Sequence, residues 1–232
     1  MKFTVAKEIF ELFPTACFGV VVAKGFPASE QPAVGERLAA ALAAAGGKFP
    51  DGVKNHPSIT VWRDAFTKLG LNPNKFMSSV EALMSRVVKT GHIPRINTVV
   101  DLGNAVSLKY VLPIGAHDIG RLTGDIDLRL SRPGDIFTPF GAEASEEVPA
   151  GEIVYADAAE VRTRRWVWRQ GEKAKIHDDS SYIFFPIDGF ADVNRADVLA
   201  ARDELAVLAA NLGCKVDTFF IDAAGPAADW AD

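Results

Sequence analysis

Hydrophobic residues recur every three to four positions along much of the first 110 residues, which is the spacing of a helix with one buried face. In the first such segment the recurring positions are Val34, Leu38, Leu42 and Ala45, and two glycines follow at once. A glycine directly after the last apolar position is typical of a helix end. The spacing predicts four helices in this half of the chain, over residues 32–45, 57–69, 79–89 and 96–110.

Between residues 111 and 190 the pattern changes to short alternating segments separated by Gly, Pro and Asp. Segment 126–130, Ile-Asp-Leu-Arg-Leu, alternates at every position, as a half-buried strand does. Other predicted strands cover residues 17–23, 153–155, 161–163, 182–185 and 215–221, while segment 165–169 fits either a strand or an irregular segment. A final helix is predicted over 192–211, and we expect the tail from Ala223 to be frayed.

The order of these elements indicates the fold class. Helices come first, strands dominate the middle, and one helix and one strand follow, which is typical of an α+β fold. Neither an internal repeat nor a low-complexity tract nor an obvious linker divides the sequence. We therefore expect residues 1–232 to form one domain.

The composition suggests a cellular setting. The chain has 48% hydrophobic residues, but no apolar run approaches the about 18–20 residues that span a bilayer. The first residues lack the apolar region and cleavage site of a secretory signal. Cys17 and Cys214 both lie in apolar surroundings, which favours reduced, packed cysteines over a disulfide. These features predict a soluble cytoplasmic protein.

The charge is distributed unevenly. The formal net charge is -5, yet residues 162–175 contain six Arg and Lys residues and one acid, Glu172. A basic surface on an acidic protein is compatible with a small, specific nucleic-acid contact. The alternative is that these cations line the solvated face of a hairpin.

Common cofactor and metal motifs are missing. The sequence contains no phosphate-binding P-loop, no dinucleotide-binding glycine motif after a strand and no nucleophile elbow. Its four histidines and two cysteines are not spaced as zinc ligands. His117 and His177 each precede an aspartate, but a hydrogen-bonded turn histidine explains both more simply than a metal ligand does. We predict neither a cofactor nor a metal.

The predicted helix over 96–110 carries polar residues on one face. Asn97, Asp101 and Asn104 fall at positions i, i+4 and i+7, with valines and leucines behind them. Polar groups on the buried side of an apolar helix cost a few kcal/mol unless they find partners. The face is explained by capping of neighbouring loops, by an internal hydrogen-bond network, or by a pocket that recognises a polar ligand.

Several of these segments together resemble a known domain family. The segments are INTVVDLGN at 96–104, LPIGAHD at 112–118 and GDIDLR at 124–129, followed by AD at 156–157 and TRRWVWR at 163–169. In this order and spacing they resemble the B3/B4 domain, which serves as the aminoacyl-tRNA editing domain in the β subunit of phenylalanyl-tRNA synthetase. The resemblance covers roughly residues 57–190, and the Trp–Arg segment is similar to stand-alone members. It implies mixed sheets with flanking helices.

The resemblance also implies roles for individual residues. Asn104 matches the asparagine of the editing pocket and is expected to bond the ester carbonyl or the terminal ribose. Asp101 is expected to fix the loop or to pair with Arg95 or Arg129, and Asn97 to line the same site. The sequence departs from the family at two positions. The pocket histidine of the synthetase falls at Gly115, and the glutamate that recognises tyrosine falls near Pro186.

The hydrolysis that the resemblance implies does not require the missing histidine. An aminoacyl ester is already activated, so the protein needs to position water and stabilise the oxyanion. His117 offers an alternative imidazole, and Asn104 and the backbone amides around Gly115 offer hydrogen-bond donors. Phosphates and terminal bases of tRNA would be held by residues of the Trp–Arg segment, which are Arg164, Arg165, Trp166, Trp168 and Arg169.

Three hypotheses follow from the sequence. The first is a trans-acting hydrolase that removes a wrong amino acid from tRNA. The second is a non-catalytic module that binds tRNA or another RNA. The third is an amino-acid-binding protein or an unrelated hydrolase on this scaffold. Nothing in the sequence resembles the ATP-binding core of a complete synthetase.

Overall fold

The computed structural model describes residues 1–173 and 175–231. The α-helices in this part of the chain are α1 Lys7–Leu12, α2 Pro32–Ala45, α3 Pro57–Lys68, α4 Ser79–Thr90, α5 Thr98–Tyr110 and α6 Arg195–Asn211. The strands are β1 Lys2–Val5, β2 Ala16–Lys24, β3 His117–Asp118, β4 Ile126–Leu130, β5 Ile136–Phe137, β6 Glu146–Glu147, β7 Ile153–Ala156, β8 Val161–Arg164, β9 Arg169–Gln170, β10 Tyr182–Phe190, β11 Lys215–Ile221 and β12 Ala227–Asp229.

Most strands form two mixed or antiparallel sheets. The larger sheet has the order β12-β1-β4-β7-β8-β9, with β1 parallel to β4 and the other neighbours antiparallel. The smaller sheet has the order β11-β2-β10-β3 and is antiparallel throughout. Strands β5 and β6 form a separate hairpin. Mixed sheets with flanking helices confirm the predicted α+β class.

The small sheet is buried on both faces, which explains why β2 is apolar at nearly every position. On one face, Phe18 and Val20 of β2 join the core that contains Phe3 of β1 and Leu128 of β4. On the other face, odd-numbered residues such as Val21 join a second core with residues of α5 and α6. Because successive residues of a strand point to opposite faces, β2 and β10 contribute to two hydrophobic cores at once.

Local sequence signals fix the helices around the site. The Ser78 hydroxyl accepts a hydrogen bond from the N–H of Glu81 at 3.3 Å and caps α4. Helix α4 ends at Gly91, whose φ of 68° is left-handed and therefore favours glycine. The side chain of Asn97 accepts from the N–H of Val100 at 3.0 Å and caps α5. Asn97 therefore explains where α5 begins.

One local prediction is wrong, and the structure completes the sequence analysis at two other segments. The tail is not frayed, because β12 pairs with β1 and the side chain of Trp230 is buried. The same pairing gives residues 2–5 a strand that the sequence pattern did not predict. Segment 165–168 is a turn between β8 and β9, and Arg165 and Trp166 both adopt left-handed backbone angles, with φ values of 48° and 61°.

Further predictions concern the cysteines, metals and membranes. Cys17 and Cys214 are both buried and free of disulfides. Across the described ranges, no group of three or more His, Cys, Asp or Glu side chains is arranged to hold a metal ion. None of the described helices is both long and apolar enough to cross a bilayer.

Candidate functional site

A cleft with three adjoining compartments opens beside α5, and Ile114 lines all three. The inner compartment has a volume of about 90 Å³ and includes Gly115, His117, Tyr155, Trp166, Pro186 and Asp188 in its walls. The arginine compartment, about 440 Å³, has Arg86 and Trp168 in its walls. The lysine compartment, about 360 Å³, has Phe140 and Lys175 in its walls. Asn104 lines both of these outer compartments.

A buried carboxylate lies at the inner compartment. Oδ1 of Asp188 accepts hydrogen bonds from the hydroxyl of Tyr155 at 2.7 Å and from Nε1 of Trp166 at 2.9 Å. Within the described residues, Oδ2 receives no hydrogen bond and no cation pairs with the carboxylate. Burial raises the pKa of Asp188 to about 7, although the hydrogen bonds from Tyr155 and Trp166 lower the pKa and offset part of this rise. A carboxyl group with this pKa in a cleft is a candidate functional group.

Asp188 was not among the sequence-predicted site residues, although a signal for it exists. It is the one charged residue in the nine-residue strand β10, whose other members are mainly apolar and aromatic. Lone carboxylates are rarely buried without a partner or a function. An ionisable residue in an otherwise apolar strand would therefore have pointed to the inner compartment.

His117 is the imidazole of the inner compartment and is buried against aromatic rings. Its ring lies near those of Tyr155 and Phe184, with centroid distances of 5.9 and 6.0 Å. Its Nδ1 lies 3.5 Å from Nε2 of Gln170. Burial, and secondarily the positive charge of Arg162, lower the pKa of His117 to about 4. The ring is therefore neutral near pH 7.

Gly115, where the resemblance places the pocket histidine, leaves little space for a side chain. A Cβ atom on Gly115 would lie 3.0 Å from Cγ of Pro186 and 3.4 Å from Nε2 of His117. The N–H of Gly115 donates to the carbonyl of Pro186 at 2.9 Å, so this amide has a partner. The neighbouring N–H of Ala116 makes no hydrogen bond within the described residues. His117 lies two residues after Gly115, and Asp188 lies two residues after Pro186. The compartment therefore contains an imidazole and a carboxylate, each two residues beyond the position that the resemblance indicates.

The polar face of α5 is divided between two places. Asp101 is buried, accepts a hydrogen bond from the N–H of Ile96 at 3.0 Å, and pairs with Arg95. Asn97 and Asp101 line a neighbouring depression of about 310 Å³ together with Arg95. Asn104 is half-buried in the cleft, and its side chain makes no hydrogen bond within the described residues. Of the three polar residues, Asn104 alone faces the cleft that contains His117.

The arginines of the predicted basic surface are mostly buried and paired with carboxylates. Arg162 contacts Asp157 at 2.5 Å and Glu160 at 3.1 Å. Arg164 contacts Glu146 and Glu152, both at 2.6 Å, and Arg165 contacts Glu152 at 3.1 Å. Arg129 pairs with Asp135 at 2.6 Å. The expectation that Arg164 and Arg165 offer free charge to phosphates is wrong, because neighbouring acids already occupy their guanidinium groups. Of the two arginines considered for Asp101, Arg95 is the partner and Arg129 is not.

The two tryptophans of this segment have different environments. Trp166 is fully buried, and its ring packs against those of Trp62 and Phe190. Its ring is therefore unavailable for stacking on a base, contrary to the expectation from sequence. Trp168 is half-buried, packs edge-on against Phe76, and lines the inner and arginine compartments.

Two exposed cations at the cleft remain without an ion pair in the described part of the chain. Arg169 lines the inner compartment, and its guanidinium carbon lies 5.2 Å from the centre of the Trp168 ring. Arg86 of α4 lines the arginine compartment and was not predicted as a site residue. Phe140, 67% exposed, stands at the lysine compartment with Nζ of Lys175 5.1 Å from its ring centre. Charge and an exposed aromatic ring thus occur together around the cleft.

Comparisons with known proteins concern the whole fold and this site. A family model for the B3/4 domain matches residues 61–208, more than half of the chain. A solved structure, an N-terminal fragment of the phenylalanyl-tRNA synthetase β subunit from Pyrococcus horikoshii, has a similar fold, with a TM-score of 0.50 and 9% sequence identity. The match covers 94% of this chain and 53% of that one, so the chain spans about half the fragment's length. Among curated proteins, no match is found.

Proposed function

The chain belongs to the B3/4 domain family, and from this premise we propose that it binds the acceptor end of an aminoacylated tRNA and hydrolyses the ester of a wrongly attached amino acid. The observation that carries the proposal is the composition of the cleft. The amide of Asn104 and Oδ2 of Asp188, which have no partner among the described residues, line the cleft, and the exposed cations Arg86 and Arg169, without an ion pair in the same part of the chain, line it as well.

The reaction needs few chemical groups from the protein. Water adds to the ester carbonyl carbon, the bond from that carbon to the ribose oxygen breaks, and the amino acid and a tRNA hydroxyl are released. Charge develops on the carbonyl oxygen, and one donor aimed at such an oxyanion is worth about 2.7–4 kcal/mol. The amide of Asn104 and the N–H of Ala116 are neutral donors of the cleft that make no hydrogen bond within the described residues. We assign them to the oxyanion.

His117 is assigned to the attacking water. Its neutral imidazole is able to accept a hydrogen bond from water, and Gln170, whose Nε2 lies near Nδ1, orients the ring. Gln170 is itself fixed by a hydrogen bond of 2.7 Å to the carbonyl of Ala116. Because its pKa is lowered to about 4, His117 acts by positioning water rather than by carrying a positive charge.

The tRNA end is assigned to the outer compartments and to Arg169, an exposed residue of the inner compartment's wall. Arg86 and Arg169 replace Arg164 and Arg165 as phosphate contacts, because their guanidinium groups are exposed and unpaired. Phe140 replaces Trp166 as the stacking surface for a terminal base, since bases stack on exposed aromatic rings irrespective of sequence. Lys175 beside Phe140 is paired with Glu172, so it offers no free charge at this point.

The direct test is ester hydrolysis. A broad panel of aminoacylated tRNAs, matched and mismatched, is incubated with the protein, and loss of the ester is compared with loss in buffer. We expect one or a few esters to be cleared, and Asn104→Ala to slow clearance about 100-fold through loss of an oxyanion donor. Asn211→Ala, at the exposed end of α6, is the matched control and leaves the rate unchanged. Clearance of no ester by the wild-type protein would refute the proposal.

A second candidate is a non-catalytic module that binds tRNA or another RNA. The low pKa of His117 favours it, because an imidazole with a pKa of about 4 is a weak base near pH 7. In that case tRNA binds without loss of ester, and the affinity falls steeply with salt. Binding of a free amino acid that is independent of salt would instead indicate an amino-acid-binding protein.

A further inference from the structure

The inner compartment is small. Its volume is about 90 Å³, whereas an engineered protein cavity that binds benzene measures about 150 Å³. Pro186 of β10 contributes to this narrowness, because its ring fills the space beside Gly115. The buried rings of Tyr155 and Trp166 form other parts of the wall. We therefore expect a side chain with a six-membered aromatic ring to be excluded from this compartment while Pro186 keeps this position.

The inner compartment also has a specific polar requirement. Tyr155 and Trp166 both donate to Oδ1 of Asp188, so that oxygen is satisfied. Oδ2 has no donor within the described residues, although the side chain of Asp188 is almost fully buried. Oδ2 is not among the fully buried atoms without a partner, so it is open to the compartment, and a ligand that excludes water from it leaves it unsatisfied at a cost unless the ligand brings a donor. A ligand that enters this compartment therefore gains by bringing an O–H or N–H group to Oδ2.

We infer that the inner compartment holds the side chain of a small hydroxylated amino acid, serine or threonine, whose hydroxyl donates to Oδ2 of Asp188. The inference rests on the proposed function and adds the substrate class to it. Asp188 is then a specificity-determining residue, and Pro186 sets the upper size limit. The outer compartments, at about 440 and 360 Å³, have the space for the ribose and terminal base.

The expected discrimination against alanine is large. A site built to bond a substrate hydroxyl rejects the analogue without it by about 10⁴–10⁵-fold in favourable cases, because its buried polar group is left unpaired. Alanine differs from serine only by this hydroxyl, and its smaller side chain enters the compartment freely. We therefore expect esters of serine or threonine to be cleared at least about 100-fold faster than the alanine ester.

The test uses one tRNA pool charged by an acylating ribozyme with Ser, Thr, Ala, Phe or Tyr. Preferential clearance of the serine or threonine ester supports the inference. An alanine, phenylalanine or tyrosine ester that is cleared as fast as the serine ester overturns it, while the proposed hydrolysis stands. If no ester is hydrolysed, the proposed function fails. The inference is then tested by binding, with adenosines that carry each amino acid in a stable 3′-amide. Seryl or threonyl amide is then expected to bind at least tenfold more tightly than alanyl or phenylalanyl amide, and equal affinities overturn the inference.

Two variants separate specificity from structure. Asp188→Asn retains an acceptor for Tyr155 and Trp166 and is expected to lower the serine-to-alanine ratio at least tenfold. Pro186→Ala removes part of the wall and is expected to admit the phenylalanine ester or amide, a gain that a merely structural role does not produce. An unchanged ratio in a folded Asp188→Asn protein overturns the inference. If that variant does not fold, Pro186→Ala decides, and continued exclusion of phenylalanine by the folded Pro186→Ala protein overturns it.

Discussion

The paired arginines of the large sheet and the cleft beside α5 use polar residues in opposite ways. In the sheet, Arg162 and Arg164 are buried and each meets two carboxylates. In the cleft, Asp188 and Asn104 line the walls, and neither Oδ2 of Asp188 nor the amide of Asn104 has a partner among the described residues. The first arrangement holds strands and turns together, and the second leaves bonding capacity for a ligand. The number of charges in a segment therefore says little about the charge that it offers to a partner.

The largest expected effect concerns the sheet. Arg162→Ala leaves the buried carboxylates of Asp157 and Glu160 without their guanidinium partner, and removal of one member of a buried ion pair costs about 3–5 kcal/mol. We expect the free energy of unfolding, measured by urea denaturation, to fall by about this amount. Arg169→Ala is the matched control, since exposed substitutions change stability within about 0.5 kcal/mol. Equal effects of the two substitutions would remove the distinction between sheet and cleft.

The next effect concerns the buried carboxyl group of the cleft and depends on pH. Because burial raises the pKa of Asp188 from 3.8 to about 7, the folded protein keeps a proton between pH 4 and 7 that the unfolded chain releases. The contribution of Asp188 to stability is therefore present at low pH and lost as the pH rises through this window. Relative to Asp188→Asn, the wild-type protein is expected to lose roughly 3 kcal/mol of unfolding free energy from pH 4.5 to pH 7.5.

His117 does not disturb this comparison. Its pKa is lowered, so its own contribution has the opposite sign and is lost as the pH falls from about 6.5 towards 4. Both proteins contain His117 and Tyr155, so the difference between their unfolding free energies isolates Asp188. Denaturation curves for the two proteins across this pH range provide the measurement. A difference that is constant with pH would mean that Asp188 is not buried in the way described.

The smallest expected effect concerns the exposed cations. Replacing Arg86 and Arg169 together by alanine is expected to weaken tRNA binding about tenfold at moderate salt and to reduce the slope of log K against log salt by about 2. Filter binding across a salt series measures both quantities. Lys215→Ala, an exposed cation on β11, is the control. An unchanged slope in the double variant would show that these arginines do not contact phosphates.

Regular elements of the fold were largely predictable, and the exceptions have a common physical cause. The apolar spacing of α2, α4 and α5 is local, and their bounds agree with the predicted ones to within two residues. Strand β12 is a run of Ala-Ala-Asp with no strand propensity of its own, and it exists because β1 offers backbone partners across the length of the chain. Such pairing is non-local and leaves no periodic signal.

The site was partly predictable. Asn104 lines the cleft, and its role there stays a prediction, whereas the free charge assigned to segment 162–175 is mostly absent. The acids that pair with Arg162, at Asp157 and Glu160, stand only a few residues before that segment. Counting cations from residue 162 onward excluded them. His117 lies in β3 and Asp188 lies in β10, and the register of β3 against β10 determines that both line the same compartment. A single sequence does not supply that register.

The turn after β8 has a consequence for engineering the protein. Arg165 and Trp166 hold left-handed backbone angles without being glycine, and each costs about 1–2 kcal/mol relative to a relaxed residue. A redesign that optimises the backbone alone would place Gly or Asn there, because these residues adopt left-handed angles at least cost. At Trp166 that choice removes the N–H that bonds Asp188. Trp166 is also fully buried, and truncation of a buried Trp costs about 3–5 kcal/mol, more than the strain it relieves. Selection for heat resistance is therefore expected to keep Trp166 and its bond to Asp188, and to change Arg165 first.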